Sequence, residues 1–164
     1  MLILGIDPGL AIMGYGAIRC EGGRLFAVDY GTIETESTVP LPERIQRVYS
    51  GMCELIERYR PDAVAFEELF FSKNAKTAII VGQARGAAIA AACQRVKKIY
   101  EYTPLQVKQA IVGYGRAEKR QVQLMVKTLL GLSELPEPDD AADALAVAIC
   151  HAQTAKMKDA LLMK

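Results

Sequence analysis

The chain has 164 residues, 51% of them hydrophobic and 24% charged, with 20 Lys and Arg against 19 Asp and Glu. That is enough chain to bury one full core, and the balance of apolar and charged residues excludes disorder. The longest apolar tract, Thr77 to Cys93, is interrupted by Gln83 and Arg85, which excludes a bilayer span, and Cys20, Cys53, Cys93 and Cys150 form no C-x-x-C pair, which argues against a zinc site.

Leu2 to Ile6 is an apolar run closed by Asp7-Pro8-Gly9, the pattern of a buried strand stopped by a turn. Tyr15 to Arg19, then Glu21-Gly22-Gly23, then alternating Phe26, Val28, Tyr30 and Thr32 predict a hairpin of the second and third strands. Leu41, Ile45, Val48, Met52, Ile56 and Tyr59 recur at helical spacing from about Pro42 until Pro61 forbids continuation. Ala63 to Phe66 is a fourth strand. Past Ser72-Lys73-Asn74 comes a long Gly- and Ala-rich helix to about Arg95, whose small residues let backbones approach closely.

Lys98 to Tyr102 gives a fifth strand, and Thr103-Pro104 starts a helix that ends before Gly113. Val122, Met125, Val126, Leu129 and Leu130 mark the next helix, stopped by Gly131. The last helix is capped by Asp139 or Asp140 and buries Ala141, Leu145, Ala148, Ile149 and Ala152. The order β-β-β-α-β-α-β-α-α-α predicts an α/β fold with a five-stranded mixed sheet. Strands 1 to 3 form an antiparallel meander, strands 4 and 5 run parallel to strand 1, and helices cover both faces. One domain is expected over residues 1–156, with a basic tail at 157–164 that frays. The apolar-to-polar change soon after Met1 lacks the basic start of a signal peptide, so a cytoplasmic location is expected.

Four acids fall where the ends of successive elements should meet: Asp7 closing the first strand, Glu67 closing the fourth, and Asp140 with Asp143 opening the last helix. The carboxyl ends of adjacent parallel strands are the expected place for a site in an open α/β sheet. Carboxylates this close repel by roughly 1 to 4 kcal/mol per pair, depending on the local dielectric, and hard divalent cations are the usual remedy. Gly5 and Gly9 flank Asp7 and leave room for a phosphodiester to approach. Two neighbours leave the register open, because Glu68 adjoins Glu67 and Asp139 adjoins Asp140.

Taken in order, several segments resemble the RuvC family of bacterial Holliday junction resolvases, within the ribonuclease H-like nuclease superfamily. They are Gly5-Ile6-Asp7-Pro8-Gly9 with Gly14-Tyr15-Gly16, Phe66-Glu67-Glu68-Leu69-Phe70 with Lys73-Asn74-Ala75, and Gly82-Gln83-Ala84-Arg85-Gly86. Gln106-Val107-Lys108-Gln109, Ala117-Glu118-Lys119 and Asp140-Ala141-Ala142-Asp143-Ala144-Leu145-Ala146 complete the set. The resemblance implies a ribonuclease H-like fold and places the metal-binding acids on Asp7, Glu67, Asp140 and Asp143, with Glu68 and Asp139 as bystanders. It places functional lysines on Lys108 and Lys119 and a junction-contacting aromatic on Phe70. It also implies a homodimer, a need for Mg²⁺ or Mn²⁺, and cooperation with RuvA and RuvB. Met13 stands where many relatives carry Thr.

The expected chemistry is hydrolysis of phosphodiesters in four-way junction DNA by two Mg²⁺ ions per site, with Mn²⁺ able to substitute, in recombination and repair. The four catalytic carboxylates would hold the ions, and Lys119, joined by Lys108, would stabilise the extra negative charge of the transition state. Lys73, Lys76, Arg116 and Arg120 would meet flanking phosphates, and Phe70 and Phe71 would stack on or wedge between bases. An actin-like ATPase or sugar kinase shares the sheet order but needs two such domains, and a non-catalytic junction scaffold must explain acids facing DNA.

Overall fold

The structure is a computed structural model that describes residues 1–69 and 75–154. The elements follow the predicted order: β1 (Leu2–Asp7), β2 (Ile12–Glu21), β3 (Arg24–Glu34), α1 (Leu41–Tyr59), β4 (Ala63–Glu67), α2 (Ala75–Cys93), β5 (Ile99–Tyr102), α3 (Pro104–Val112), α4 (Lys119–Leu130) and α5 (Asp139–Thr154). They build one sheet in the order β3-β2-β1-β4-β5. β1 pairs antiparallel with β2 and parallel with β4, and β5 is parallel to β4.

Alternation along the strands sorts the core into two layers. Ile3, Ala63, Ala65, Tyr100 and Tyr102 face α3, α4 and α5, whereas Leu4, Ile6, Val64 and Phe66 face α1 and α2. Met13 is fully buried among the second set, so its apolar side chain serves the α1 layer. α3 opens with a capping box between Thr103 and Gln106, and both α3 and α4 end at glycines in the left-handed region, Gly113 at φ 88° and Gly131 at φ 64°.

α5 lies against the centre of the sheet. A Cβ on Gly5 would sit 2.7 Å from the Ala148 nitrogen and one on Gly16 2.7 Å from the Leu145 nitrogen, while one on Gly14 would strike the Asp140 carbonyl oxygen. Gly5 pairs with Gly16 and Asp7 with Gly14 across β1 and β2, so these glycines form a trough for the small residues of α5. The expectation that Gly5 and Gly9 make room for a phosphodiester is therefore corrected. Gly5 admits the helix, and a Cβ on Gly9 would meet the backbone of Ile12 in the turn.

The start of α5 also differs from expectation. Neither Asp139 nor Asp140 is its cap: the amides of Ala141 and Ala142 donate to the Pro138 carbonyl, at 3.0 and 3.2 Å, which puts both acids inside the first turn. The Asp139 side chain is turned toward α4 instead.

Candidate active site

Asp7 ends β1 and Glu67 ends β4, on neighbouring parallel strands whose register pairs Ile6 with Phe66. Both acids continue the odd-numbered rows, Ile3-Gly5-Asp7 and Ala63-Ala65-Glu67, that face α5. Glu68 lies past the strand end, where its amide donates to the Tyr102 carbonyl at 2.8 Å. From the other side comes the first turn of α5. Ala141, Ala142 and Ala144 are buried there, and Asp143 is the half-buried exception among them. Because Gly14 lies opposite Asp7 and beneath Asp140, the helix begins directly over the strand ends.

The electrostatics confirm that the acids sense one another. Burial, then the charges of Glu67 and Asp143, a hydrogen bond to Glu67 and the charge of Asp140 push the Asp7 carboxyl up to about 8. At neutral pH Asp7 thus keeps a proton and donates it to Glu67. Burial also raises Glu67, against the pull of that hydrogen bond and of Lys108 and Lys119. Asp143 is raised by burial, although Lys119 Nζ lies 3.1 Å from its Oδ2. Burial lowers the Lys119 ammonium, but its hydrogen bonds and charge pairing with Asp143 and Asp139 outweigh this and hold it above its ordinary value. A cleft of about 160 Å³ joins Glu67, Lys108, Lys119 and Asp143, walled by Pro104, Val107, Val122 and Ala146.

Residues 3–151 match the profile of the family described as crossover junction endodeoxyribonuclease RuvC. The chain belongs to the RuvC family. It is 58% identical to the crossover junction endodeoxyribonuclease RuvC of Alkaliphilus oremlandii over 164 residues, covering 100% of both chains. Over 152 residues, 92% of each chain, it is 60% identical to the RuvC of Caldicellulosiruptor saccharolyticus. The structure of Thermus thermophilus RuvC in complex with Holliday junction substrate superposes with a TM-score of 0.91, at 38% identity over 99% of this chain and 100% of that one.

RuvC nucleases depend on metal ions, and the carboxylate edge suits one. An all-oxygen donor set favours hard cations such as Mg²⁺ or Mn²⁺, and a buried carboxyl forced to hold a proton near neutral pH is where a cation would replace that proton. Among the described residues no three His, Cys, Asp or Glu side chains are gathered as ligands of a single ion. In this arrangement Asp7 and Glu67 share a proton and Asp143 faces Lys119, so cation binding requires these side chains to turn.

Of the other residues that the RuvC resemblance and the basic clusters single out, Lys108 and Lys119 reach the cleft. Arg116, Arg120 and Lys76 are exposed and do not line it, with Arg116 before α4, Arg120 in its first turn and Lys76 in the first turn of α2. Phe70, Phe71 and Lys73 lie outside the described residues. Two polar side chains that the sequence reading did not place at the site do touch it. Asp139 Oδ2 lies 3.2 Å from Lys119 Nζ, and Gln123 Nε2 donates to Asp139 Oδ1 at 2.7 Å. The signal for them was present in the four-residue spacings of Lys119 with Gln123 and of Asp139 with Asp143.

Proposed function

We propose that this chain resolves four-way (Holliday) DNA junctions by metal-dependent hydrolysis of phosphodiesters, cutting opposing strands symmetrically as a homodimer. The observation that carries the reading is the convergence of Asp7, Glu67, Asp140 and Asp143 on one sheet edge, with Lys108 and Lys119 beside them. Asp7, Glu67, Asp140 and Asp143 would hold the cations. Once bound, divalent cations, two per site, would supply Lewis acidity and an activated water at neutral pH.

The chain's own groups do the rest. Asp7 and Glu67 stand at the strand ends, where Gly14 seats α5 close enough for Asp140 and Asp143 to face the same cations. Lys119, with its ammonium at the mouth of the cleft, meets the negative charge that builds on the phosphate oxygens as the new P–O bond forms and the bond to the 3′ oxygen breaks. Lys108, half-buried, lines the same cleft and steadies the same charge. Arg116, Arg120, Lys76 and Lys73 meet flanking phosphates, which position the junction without specifying its sequence. Phe70 and Phe71 stack on bases near the branch point.

The dimer reading rests on α2. Ala84, Ala88, Ala91 and Ala92 pack onto the sheet layer, while Ile79, 63% exposed, Gly82, Gly86 and Ala90 form an outward stripe. A Cβ added at Gly82 or Gly86 would meet nothing within 4 Å, so the stripe has room for a second helix. An isologous dimer brings two sites to a nearly two-fold symmetric junction. Among the described residues no helix is long and apolar enough to cross a membrane. A cytoplasmic enzyme that follows RuvA and RuvB on recombining DNA fits this reading.

The test separates binding from cutting. Asp7→Asn and Asp143→Asn should bind a synthetic four-way junction as tightly as the parent and lose Mg²⁺-dependent nicking by about a thousandfold or more. Retained nicking by both variants would refute the assignment. Lys119→Ala should lower turnover far more than junction affinity.

A further inference from the structure

Lys119 and Gln123 lie four residues apart on α4, and Asp139 and Asp143 lie four apart on α5, so each pair shares one face of its helix. The two faces meet in a chain of contacts. Gln123 Nε2 donates to Asp139 Oδ1 at 2.7 Å, Asp139 Oδ2 lies 3.2 Å from Lys119 Nζ, and Lys119 Nζ lies 3.1 Å from Asp143 Oδ2. Each Asp139 oxygen thus has its own partner. The carboxylate is held by the amide on one side and presents the other side to the ammonium.

Lys119 needs such an anchor. It is the first residue of α4, where the positive end of the helix dipole repels an ammonium, and its side chain is 52% exposed on a flexible four-carbon stem. The other anchor, Asp143, is also a proposed cation ligand. When Asp143 turns to a cation, the ammonium loses that hold, whereas Asp139 lies outside the four converging acids and keeps its own.

We propose that Asp139, oriented by Gln123, is a positioning residue that keeps the Lys119 ammonium at the carboxylate edge while Asp143 serves the cation. The inference rests on the roles given to Lys119 and Asp143 above. Without the tether, Lys119 either swings to solvent or stays on Asp143 and competes with the cation, and in both cases the transition-state charge goes unmet.

Asp139 also stands in the first turn of α5, where any carboxylate favours the dipole. Gln123→Leu removes the tether's anchor and leaves that contribution intact. Single-turnover cutting of a synthetic four-way junction at saturating Mg²⁺ should fall about tenfold in Asp139→Ala and about threefold in Gln123→Leu, with junction Kd unchanged within about twofold. Asp139→Glu should restore part of the rate. A second readout does not involve cutting: the ¹H–¹⁵N signal of the Lys119 ammonium, followed in the full chain with Mg²⁺ and no DNA. It should persist in the parent and vanish into water exchange in Asp139→Ala. Parental cutting rates in both variants, or an unchanged Lys119 signal in Asp139→Ala, would overturn the proposal. If the parent itself shows no Mg²⁺-dependent cutting, the nuclease reading fails, and the ammonium signal still decides whether the tether exists.

Discussion

Replacing Asp7 by Asn should stabilise the metal-free protein while destroying its activity. In the folded chain the Asp7 carboxyl is raised from 3.8 to about 8, first by burial and then by Glu67, Asp143 and Asp140. A gap of about four pH units at 1.36 kcal/mol each bounds the cost of full ionisation near 6 kcal/mol. Asp7 and Glu67 hold this proton between them, so the cost belongs to the pair and about 6 kcal/mol is its ceiling. The direction follows from a folded value above the unfolded one: Asp7's contribution is fully present below about pH 4 and is lost as pH rises through about 8. Urea unfolding in chelator between pH 5 and 8.5 should therefore show the parent weakening toward alkaline pH and Asp7→Asn weakening less. Near pH 8 the variant should be more stable, by up to about 6 kcal/mol. Millimolar Mg²⁺ should recover stability in the parent and little of it in Asp7→Asn. A variant less stable than the parent at every pH, or a parent indifferent to both pH and Mg²⁺, would refute the reasoning.

Gly14→Ala should lower stability by about 1 to 3 kcal/mol, because the new Cβ meets the Asp140 backbone rather than a movable side chain. Calorimetry should show a Tm lower by about 2 to 4 °C per kcal/mol, and an unchanged Tm would mean that α5 is not seated on Gly14. Gly86→Leu lies on the outward stripe of α2, so the isolated fold should gain up to about 1 kcal/mol from helix propensity while the dimer weakens. Sedimentation velocity should show monomer, and junction products should shift from paired cuts to single nicks. A parental dimer would exclude that face.

Much of the candidate site is legible in the sequence alone. Asp7 and Glu67 each close an apolar run, and a chain that alternates strands and helices brings the ends of parallel strands to one edge. The choice between Glu67 and Glu68 was not legible from spacing, because one residue of register reverses the face of a strand. Pairing of Ile6 with Phe66 decides it, by placing Glu67 in the row that faces α5. The glycines were legible as close approaches but not as to what approaches: the guest at Gly5 and Gly14 is α5. Asp139 looked like a helix cap from its position, yet Pro138 takes that role and frees the carboxylate for Gln123 and Lys119.

Local chemistry and periodicity, written residue by residue, determined the order of elements, the small-residue character of α2 and α5, and the identity of the acids at strand ends. These follow from interactions between near neighbours along the chain, which a linear pattern records. Tertiary packing alone decided that α5 lies close enough for its first turn to face two strand ends, that Asp7 retains a proton, and that Lys119 stands between Asp139 and Asp143. Those outcomes depend on burial and on distances between residues up to 136 positions apart, from Asp7 to Asp143, and electrostatic energy depends on separation in space rather than along the sequence.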